Sequence, residues 1–341
     1  VRRQVCCRPT GPGSHTAGES LFYRSVNQLN RDLARWSHTF PSDIVGVVGI
    51  PRSGMLPATL LALHLHLPLA DLESLIQGRW YKPGERMSGG GSRPGTEAGR
   101  VLVLDDSVNK GGALKAARER ILSMAPHLDG RIIWASPYVT GSGKALVDLY
   151  YEVVPQPRVF QWNVLHHSGL VDACMDIDGV LCPDPGADDD DGQRYAAFLD
   201  GAPCLHVPAS EVGWLVTSRL ERYRPQTEEW LRRHGIRYRQ LLMHPAHTRA
   251  QRLAEDNHGE RKAEHYKRTG AWLFIESDIR QARTIADIAK RPVYCTDAHE
   301  MIYPGMSVGT RPLGARTLSW RAREGARQSR KRIQYLLRKR K

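Results

Sequence analysis

Long apolar runs are missing from this sequence. No stretch approaches the roughly 18 uninterrupted apolar residues of a membrane-spanning helix, and the longest candidate, Leu60 to Ala70, carries two histidines and a proline. We therefore expect no membrane partner. Cysteine is scarce too: the six residues Cys6, Cys7, Cys174, Cys182, Cys204 and Cys295 are irregularly spaced, which suits buried thiols better than a disulfide framework. The first twenty residues hold Arg2, Arg3 and Arg8 and then Gly, Pro and Ser, without the apolar core of a secretory signal. The expectation is a cytoplasmic protein. With 41% hydrophobic and 25% charged residues, the composition excludes a chain disordered throughout and a fibrous one.

The formal net charge of +13 is unevenly spread. Between Arg311 and Lys341 lie twelve Lys or Arg against Glu324 alone, so this tail holds +11 of the total. Ile333, Tyr335, Leu336 and Leu337 interleave the basic residues, a spacing that fits an amphipathic helix. RNA, DNA or an acidic partner would suit such a tail, and so would a solvated terminal helix.

At roughly 150 residues per domain, 341 residues suggest two globular units. Strands and helices alternate on either side of a break near residues 155 to 168. In the first unit, Asp43 to Ile50, Arg100 to Leu104 and Arg131 to Val139 read as buried strands, with helices over Leu56 to Leu65 and Ala113 to Met124. In the second, the strands are Val171 to Ile177, Gly213 to Thr217, Tyr238 to Met243, Ala271 to Ile275 and Pro292 to Cys295. Helical spacing covers Pro225 to His234 and Ile279 to Lys290. The fold class expected is α/β: two doubly wound parallel-sheet domains, residues 20–160 and 168–305, between a flexible N-terminus (1–19) and the basic tail (311–341). Such sheets bind ligands at the carboxyl ends of their strands. Lys82 to Gly99, with six glycines and two prolines, reads as a mobile loop of the first unit. Asp188 to Asp191 reads as a solvated acidic turn.

Val101 to Leu114, VLVLDDSVNKGGAL, carries a strand into two adjacent carboxylates and then a glycine turn at a helix start. Adjacent acids accept hydrogen bonds from a pair of ribose hydroxyls, and helix N–H groups hold a phosphate. The segment resembles the PRPP-binding signature of type I phosphoribosyltransferases. The resemblance implies that Asp105 and Asp106 hold the ribose hydroxyls and that Ser107 to Leu114, including Asn109, Lys110, Gly111 and Gly112, wrap the 5-phosphate. Asn109, Lys110 and Ala113 stand where the family usually has threonines, and Lys110 is placed to compensate with charge. Val48 to Gly54, VGIPRSG, resembles the family's pyrophosphate loop, with Arg52 as its cation and Ser53 and Gly54 beside it. Lys82 to Gly99 then falls where the family carries its mobile hood. The likeness spans about residues 20 to 155.

Met175 to Leu181, MDIDGVL, puts two carboxylates one residue apart at a strand end. A carboxylate nucleophile attacking phosphorus needs a cation against repulsion and an acid for the leaving oxygen. The motif resembles the first signature of the haloacid dehalogenase superfamily, which implies Asp176 as nucleophile and Asp178 as general acid and then base. Leu215 to Arg219 resembles the second motif, with the Thr217 hydroxyl on the phosphoryl group. Lys262 is the expected motif lysine, with Lys267 as competitor. Leu273 to Asp278 occupies the place of the acidic fourth motif, so the resemblance implies Mg²⁺ held by Asp176 and Asp178 together with Asp278, or Glu276 in its stead. Only about 35 residues separate the first two motifs, too few for a large cap domain. Thr217 to Trp230, with Leu241 to His244, more faintly resembles the polynucleotide 3-phosphatases of this superfamily.

Together the motifs imply a bifunctional, Mg²⁺-dependent enzyme with Mg²⁺ in both domains. One site would transfer phosphoribosyl from PRPP to a base-like acceptor, and the other would hydrolyse a phosphomonoester. A polynucleotide 3-phosphatase with an accessory PRPP domain and a PRPP-sensing regulator are the alternatives. The acceptor and the oligomeric state, a homo-oligomer included, stay open.

Overall fold

The computed structural model of the protein describes residues 21–81, 99–186, 192–255 and 257–306. The N-terminal stretch 1–19, the glycine-rich segment from Lys82 to Ala98, the acidic run and the basic tail lie outside the described residues. Among the described residues, no helix is long and apolar enough to cross a membrane. Cys174, Cys182, Cys204 and Cys295 are free thiols, three of them buried.

The described residues open with β1 (Phe22–Arg24) and α1 (Val26–Trp36). The Ser25 hydroxyl caps α1 by accepting the Gln28 N–H at 3.1 Å, and Leu29, Leu33 and Trp36 form its buried stripe at helical spacing. Next come β2 (Ile44–Gly49), α2 (Met55–Leu65), β3 (Leu69–Asp71), α3 (Leu72–Ile76), β4 (Arg100–Leu104), β5 (Ser107–Val108), α4 (Gly112–Met124), β6 (Ile132–Val139), β7 (Leu149–Val153) and β8 (Arg158–Phe160). The first large sheet has the order β3-β2-β4-β6-β5, with β7 also pairing β6, and all these pairs are parallel. Its central strands, IVGVVG and, after Arg100, VLVL, are apolar because helices and loops cover both faces.

The second sheet is built from β9 (Cys174–Met175), β10 (Val212–Leu220), β11 (Tyr238–His244), β12 (Phe274–Glu276), β13 (Val293–Cys295) and β14 (Glu300–Ile302), in the order β11-β10-β9-β12-β13-β14. Only β14 runs antiparallel. Between the strands lie α5 (Gly192–Gly201), α6 (Arg224–Arg233), α7 (Arg249–Glu255), α8 (His258–Thr269) and α9 (Ile279–Ala289). The expected strand over Val171 to Ile177 shrinks to two residues. A 3₁₀ turn occupies Ser168–Asp172, and beyond Met175 the N–H groups of Val180, Leu181 and Cys182 converge on the Ile177 carbonyl. That turn halts the ladder where Asp176 and Asp178 begin.

Residues 155 to 168 do not form a bare connector. β8 pairs with β1 in register Phe22 to Arg158, and Leu21, Val159 and Val164 pack in one buried cluster with Leu170, Met175, Ile177 and Leu215 of the second sheet. Tyr23 donates its hydroxyl hydrogen to the His299 carbonyl at 3.0 Å and Tyr303 donates to the Leu21 carbonyl at 3.1 Å. Leu21 and Tyr23 thus help seal the core of the second sheet. Leu21→Ala should therefore cost about 2 to 5 kcal/mol of that core's stability, read as a lowered urea midpoint for fluorescence of Trp214 and Trp230. An unchanged midpoint would place Leu21 outside this core.

Candidate functional site

Parallel pairing of β2 with β4 brings their carboxyl ends together. The Ile50 N–H donates to the Leu104 carbonyl at 2.8 Å, so the loop Pro51 to Gly54 and the acids Asp105 and Asp106 leave the sheet side by side. Gly54 permits this closeness, since a Cβ there would lie 2.5 Å from the Ile50 oxygen and 2.6 Å from the Leu104 oxygen. The Ser53 hydroxyl donates to Asp106 Oδ1 at 2.7 Å. Arg52 is exposed, and its Nη2 reaches Asn163 Oδ1 at 3.3 Å.

Asp106 gathers more partners than the motif suggests. Trp162 Nε1 donates to its Oδ2 at 2.7 Å, and Asn163 Nδ2 lies 3.4 Å from the same oxygen. Arg158, 4% exposed, lies under Phe160 with its guanidinium 5.3 Å from the ring. Its positive field partly offsets the carboxylates, while burial and then the Asp106 charge push the Asp105 carboxyl up to about 7. Trp162, Asn163 and Arg158 were missed because they fall in the stretch read as a break. Its run of arginine and aromatics, RVFQWN, is the signal that a solvated linker would not carry.

The turn after Asp106 leads through β5 to α4. Ser107 begins β5 and is half-buried, Asn109 is half-buried and Lys110 is exposed. Gly111 adopts φ 70°, and Gly112 opens the helix with no side chain capping its N-terminus. The first N–H groups of this 13-residue helix are therefore available to an anion.

In the second sheet, β9 lies between β10 and β12, so Asp176 emerges flanked by Thr217 and Glu276. Lys262, on the buried face of α8, bridges the group: its Nζ lies 2.5 Å from Asp176 Oδ2, 2.7 Å from Glu276 Oε2 and 2.9 Å from Gln281 Oε1. Burial opposes the Lys262 charge, but the two carboxylates outweigh it and hold the ammonium above its ordinary value. Asp176 is raised by burial, with Glu276 and Asp178 adding and Lys262 opposing. Two carboxylates thus share one ammonium. Lys267 pairs with Glu264 at 2.8 Å on the exposed side of α8, so the lysine in the cluster is Lys262.

Asp178 faces a different partner. Arg219, fully buried, reaches its Oδ1 at 2.7 Å through Nη2 and its Oδ2 at 3.1 Å through Nε. Thr217 is buried, and its hydroxyl accepts the Arg219 N–H at 3.2 Å. Asp278, preferred from the sequence as the metal carboxylate, instead caps α9: its Oδ1 accepts the N–H groups of Arg280 and Gln281 at 2.8 and 2.9 Å. The acid brought beside Asp176 is Glu276, because alternation along β12 aims it at the cluster while Asp278 has left the strand. Arg219 and Gln281 had no role from sequence. A polar residue one turn into α9 has no signature apart from the helix that carries it.

No protein-family model matches the chain. The chain is 33% identical over 160 residues to the xanthine-guanine phosphoribosyltransferase of Chromohalobacter salexigens, covering 44% of this chain and 90% of that protein. It is 27% identical over 150 residues to the enzyme of the same name from Nitratidesulfovibrio vulgaris, covering 41% and 86%. Among solved structures, the Helicobacter pylori xanthine-guanine-hypoxanthine phosphoribosyltransferase aligns at a TM-score of 0.31 and 20% identity, over 42% of this chain and 95% of that one.

Two outcomes follow from the charges. Lys262→Met should destabilise the fold by about 3 to 5 kcal/mol, because it strands two buried carboxylates, and adding Glu276→Gln should recover part of the loss in urea unfolding. Additive losses would break the cluster. The second concerns Asp105. With its carboxyl raised from 3.8 to about 7, the folded protein keeps a proton that the unfolded chain gives up, so this group lowers stability progressively as pH climbs through that window. The gain in melting temperature from Asp105→Asn should be near zero at about pH 4 and full by about pH 8. A gain independent of pH would refute the assignment.

Proposed function

Because the chain belongs to the phosphoribosyltransferase family over 44% of its length, we propose that its first site transfers phosphoribosyl from PRPP to a purine base and that its second hydrolyses a phosphomonoester, in series. The observation that carries the first half is the meeting of Ser53, Asp106, Trp162 and Asn163 beside an uncapped helix N-terminus. Asp105 and Asp106 would accept the ribose hydroxyls, the N–H groups from Gly112 onward would hold the 5-phosphate, and Arg52 would offset the diphosphate. A bond would form between a base nitrogen and C1 of the ribose while the C1–oxygen bond breaks, and the proton on that nitrogen would pass to water. The electron pair departs with the diphosphate, where the Arg52 charge is best placed to stabilise it. The relatives' names, with xanthine and guanine in both, support a purine acceptor.

For the second half, the carrying observation is Asp176 held beside Lys262 and Glu276 at the end of the middle strand of its sheet. Asp176 would attack phosphorus, with Thr217 donating to a phosphoryl oxygen and Lys262 offsetting its charge. Asp178, whose Oδ2 is contacted by Arg219 only through Nε, would pass a proton to the leaving oxygen and then take one from the water that releases phosphate from Asp176. Mg²⁺ fits the donor set. The described residues form no cluster of three or more potential ligands among His, Cys, Asp and Glu, yet Mg²⁺ keeps several waters and needs only one or two carboxylates. Asp176, Glu276 and the Asp178 carbonyl, 3.5 Å from the Ser277 hydroxyl, would hold it. When bound it would draw charge from the phosphoryl oxygens. At the first site, Asp105 and Asp106 are the carboxylates available to an ion that arrives on the diphosphate.

Incubation with PRPP, Mg²⁺ and xanthine, guanine or hypoxanthine, followed by mass spectrometry, tests both halves. The wild type should yield nucleoside, Asp176→Asn should accumulate the nucleotide, and Asp105→Asn with Asp106→Asn should yield neither. Absence of any ribosylated base from the wild type would overturn the transfer. Nucleoside formed by Asp176→Asn at the wild-type rate would overturn the hydrolysis.

A further inference from the structure

Where β10 reaches the second site it leaves the ladder. Val216 pairs with Leu242 of β11 and Leu220 with His244, so four steps along β10 match two along β11, and β9 pairs with β10 no further than Leu215. Thr217, Ser218 and Arg219 form the resulting bulge, a device that re-aims side chains where a ladder is interrupted. Backbone carbonyls released from a ladder need other donors, and side chains of α7 and α8 supply them. Arg261 Nη2 donates to the Thr217 carbonyl at 3.2 Å, and its Nη1 donates to the Met243 carbonyl of β11 at 3.0 Å. Arg252 Nη1 donates to the Ser218 carbonyl at 3.1 Å.

Arg261 directly precedes Lys262 in α8. Its planar guanidinium holds two donors in fixed relation and spans two strands at once, so the turn of α8 that carries Lys262 is pinned to the bulge that carries Thr217. The Thr217 hydroxyl accepts the Arg219 N–H, which leaves its single proton for another acceptor. We propose that Arg261 is a positioning residue of the second site: it fixes the Thr217 hydroxyl and the Lys262 ammonium, the two groups that would meet the phosphoryl oxygens, relative to each other. The proposal rests on the phosphomonoester-hydrolysis reading of this site. A second arginine on the same helix provides the comparison. Arg291 Nη1 donates to the Tyr266 and Ala271 carbonyls at 3.2 and 3.1 Å, bracing the C-terminal turn of α8 by the same chemistry without a bond to the bulge.

Hydrolysis of p-nitrophenyl phosphate by the full chain with Mg²⁺, with melting temperatures measured alongside, separates this role from general stability. Arg261→Met and Arg291→Met should both lower the melting temperature, since each takes a donor from the carbonyls of two buried residues. Only Arg261→Met should also lower kcat, by about tenfold or more with KM little changed, as expected when groups that meet the reacting atoms are misplaced. Arg261→Lys, which keeps the charge but not the fork, should fall between Arg261→Met and the wild type, and it carries the test if Arg261→Met does not fold. In a Thr217→Ala background, Arg261→Met should cost far less, because one of the groups it positions is gone. Wild-type kcat in Arg261→Met, or in Arg261→Lys should Arg261→Met not fold, would overturn the role of Arg261. So would an equal loss of kcat in Arg291→Met, or full additivity with Thr217→Ala. A wild type that hydrolyses neither p-nitrophenyl phosphate nor a purine nucleoside 5-monophosphate would overturn the hydrolysis reading itself, and this inference with it.

Discussion

Parallel pairing of β2 with β4, and of β9 with β10 and β12, is the constraint on which both sites depend. Parallel strands need crossovers to return the chain to the same end, so every strand of a sheet delivers its carboxyl end to one edge. There the ladder stops and the next side chains are free to face a ligand. Residues 50 to 54 and 105 to 112 become neighbours for this reason, as do Asp176, Thr217 and Glu276. Sequence separations from about forty residues, Asp176 to Thr217, to 100, Asp176 to Glu276, are bridged by the register alone.

Each edge then faces the same electrostatic problem, that of acids held out of water. The first site answers it with hydrogen bonds from neutral donors: Ser53, Trp162 and Asn163 all serve Asp106, while Arg158 contributes field without a direct ion pair. The second answers it with full charges, Lys262 between two carboxylates and Arg219 on Asp178. The difference suits the chemistry proposed for each. Acids that exchange hydrogen bonds with sugar hydroxyls must be easily released from their resting partners, whereas a carboxylate nucleophile has to be held at one position and kept from repelling phosphate.

The stretch from Arg158 to Asp172 joins these two environments physically. Its β8 strand completes the pair with β1, Trp162 and Asn163 reach into the first site, and Val164 and Leu170 lie in the core beneath the second. His167 accepts the Gly169 N–H through Nδ1 and leans on Trp272, two residues before the strand that ends in Glu276. A segment with so many buried contacts has little of the freedom of a linker.

Much of this was legible in the residues themselves. Runs such as IVGVVG and RVLVL declared buried strands, and the acids and glycines that follow them declared where the strands stop. Asp105, Asp106 and Asp176 could be singled out because adjacent or alternating charges at the end of an apolar run are costly unless used, and Lys262 only through its resemblance to a family motif. What the order of residues could not state was partnership: that Trp162 and Asn163 serve Asp106, that Glu276 rather than Asp278 stands beside Asp176, that Arg219 holds Asp178 and that Arg261 holds the Thr217 carbonyl. Local pattern fixes a residue's strand or turn through backbone periodicity. Which side chain it meets is decided only when distant strands pair in register and their buried polar groups must find each other.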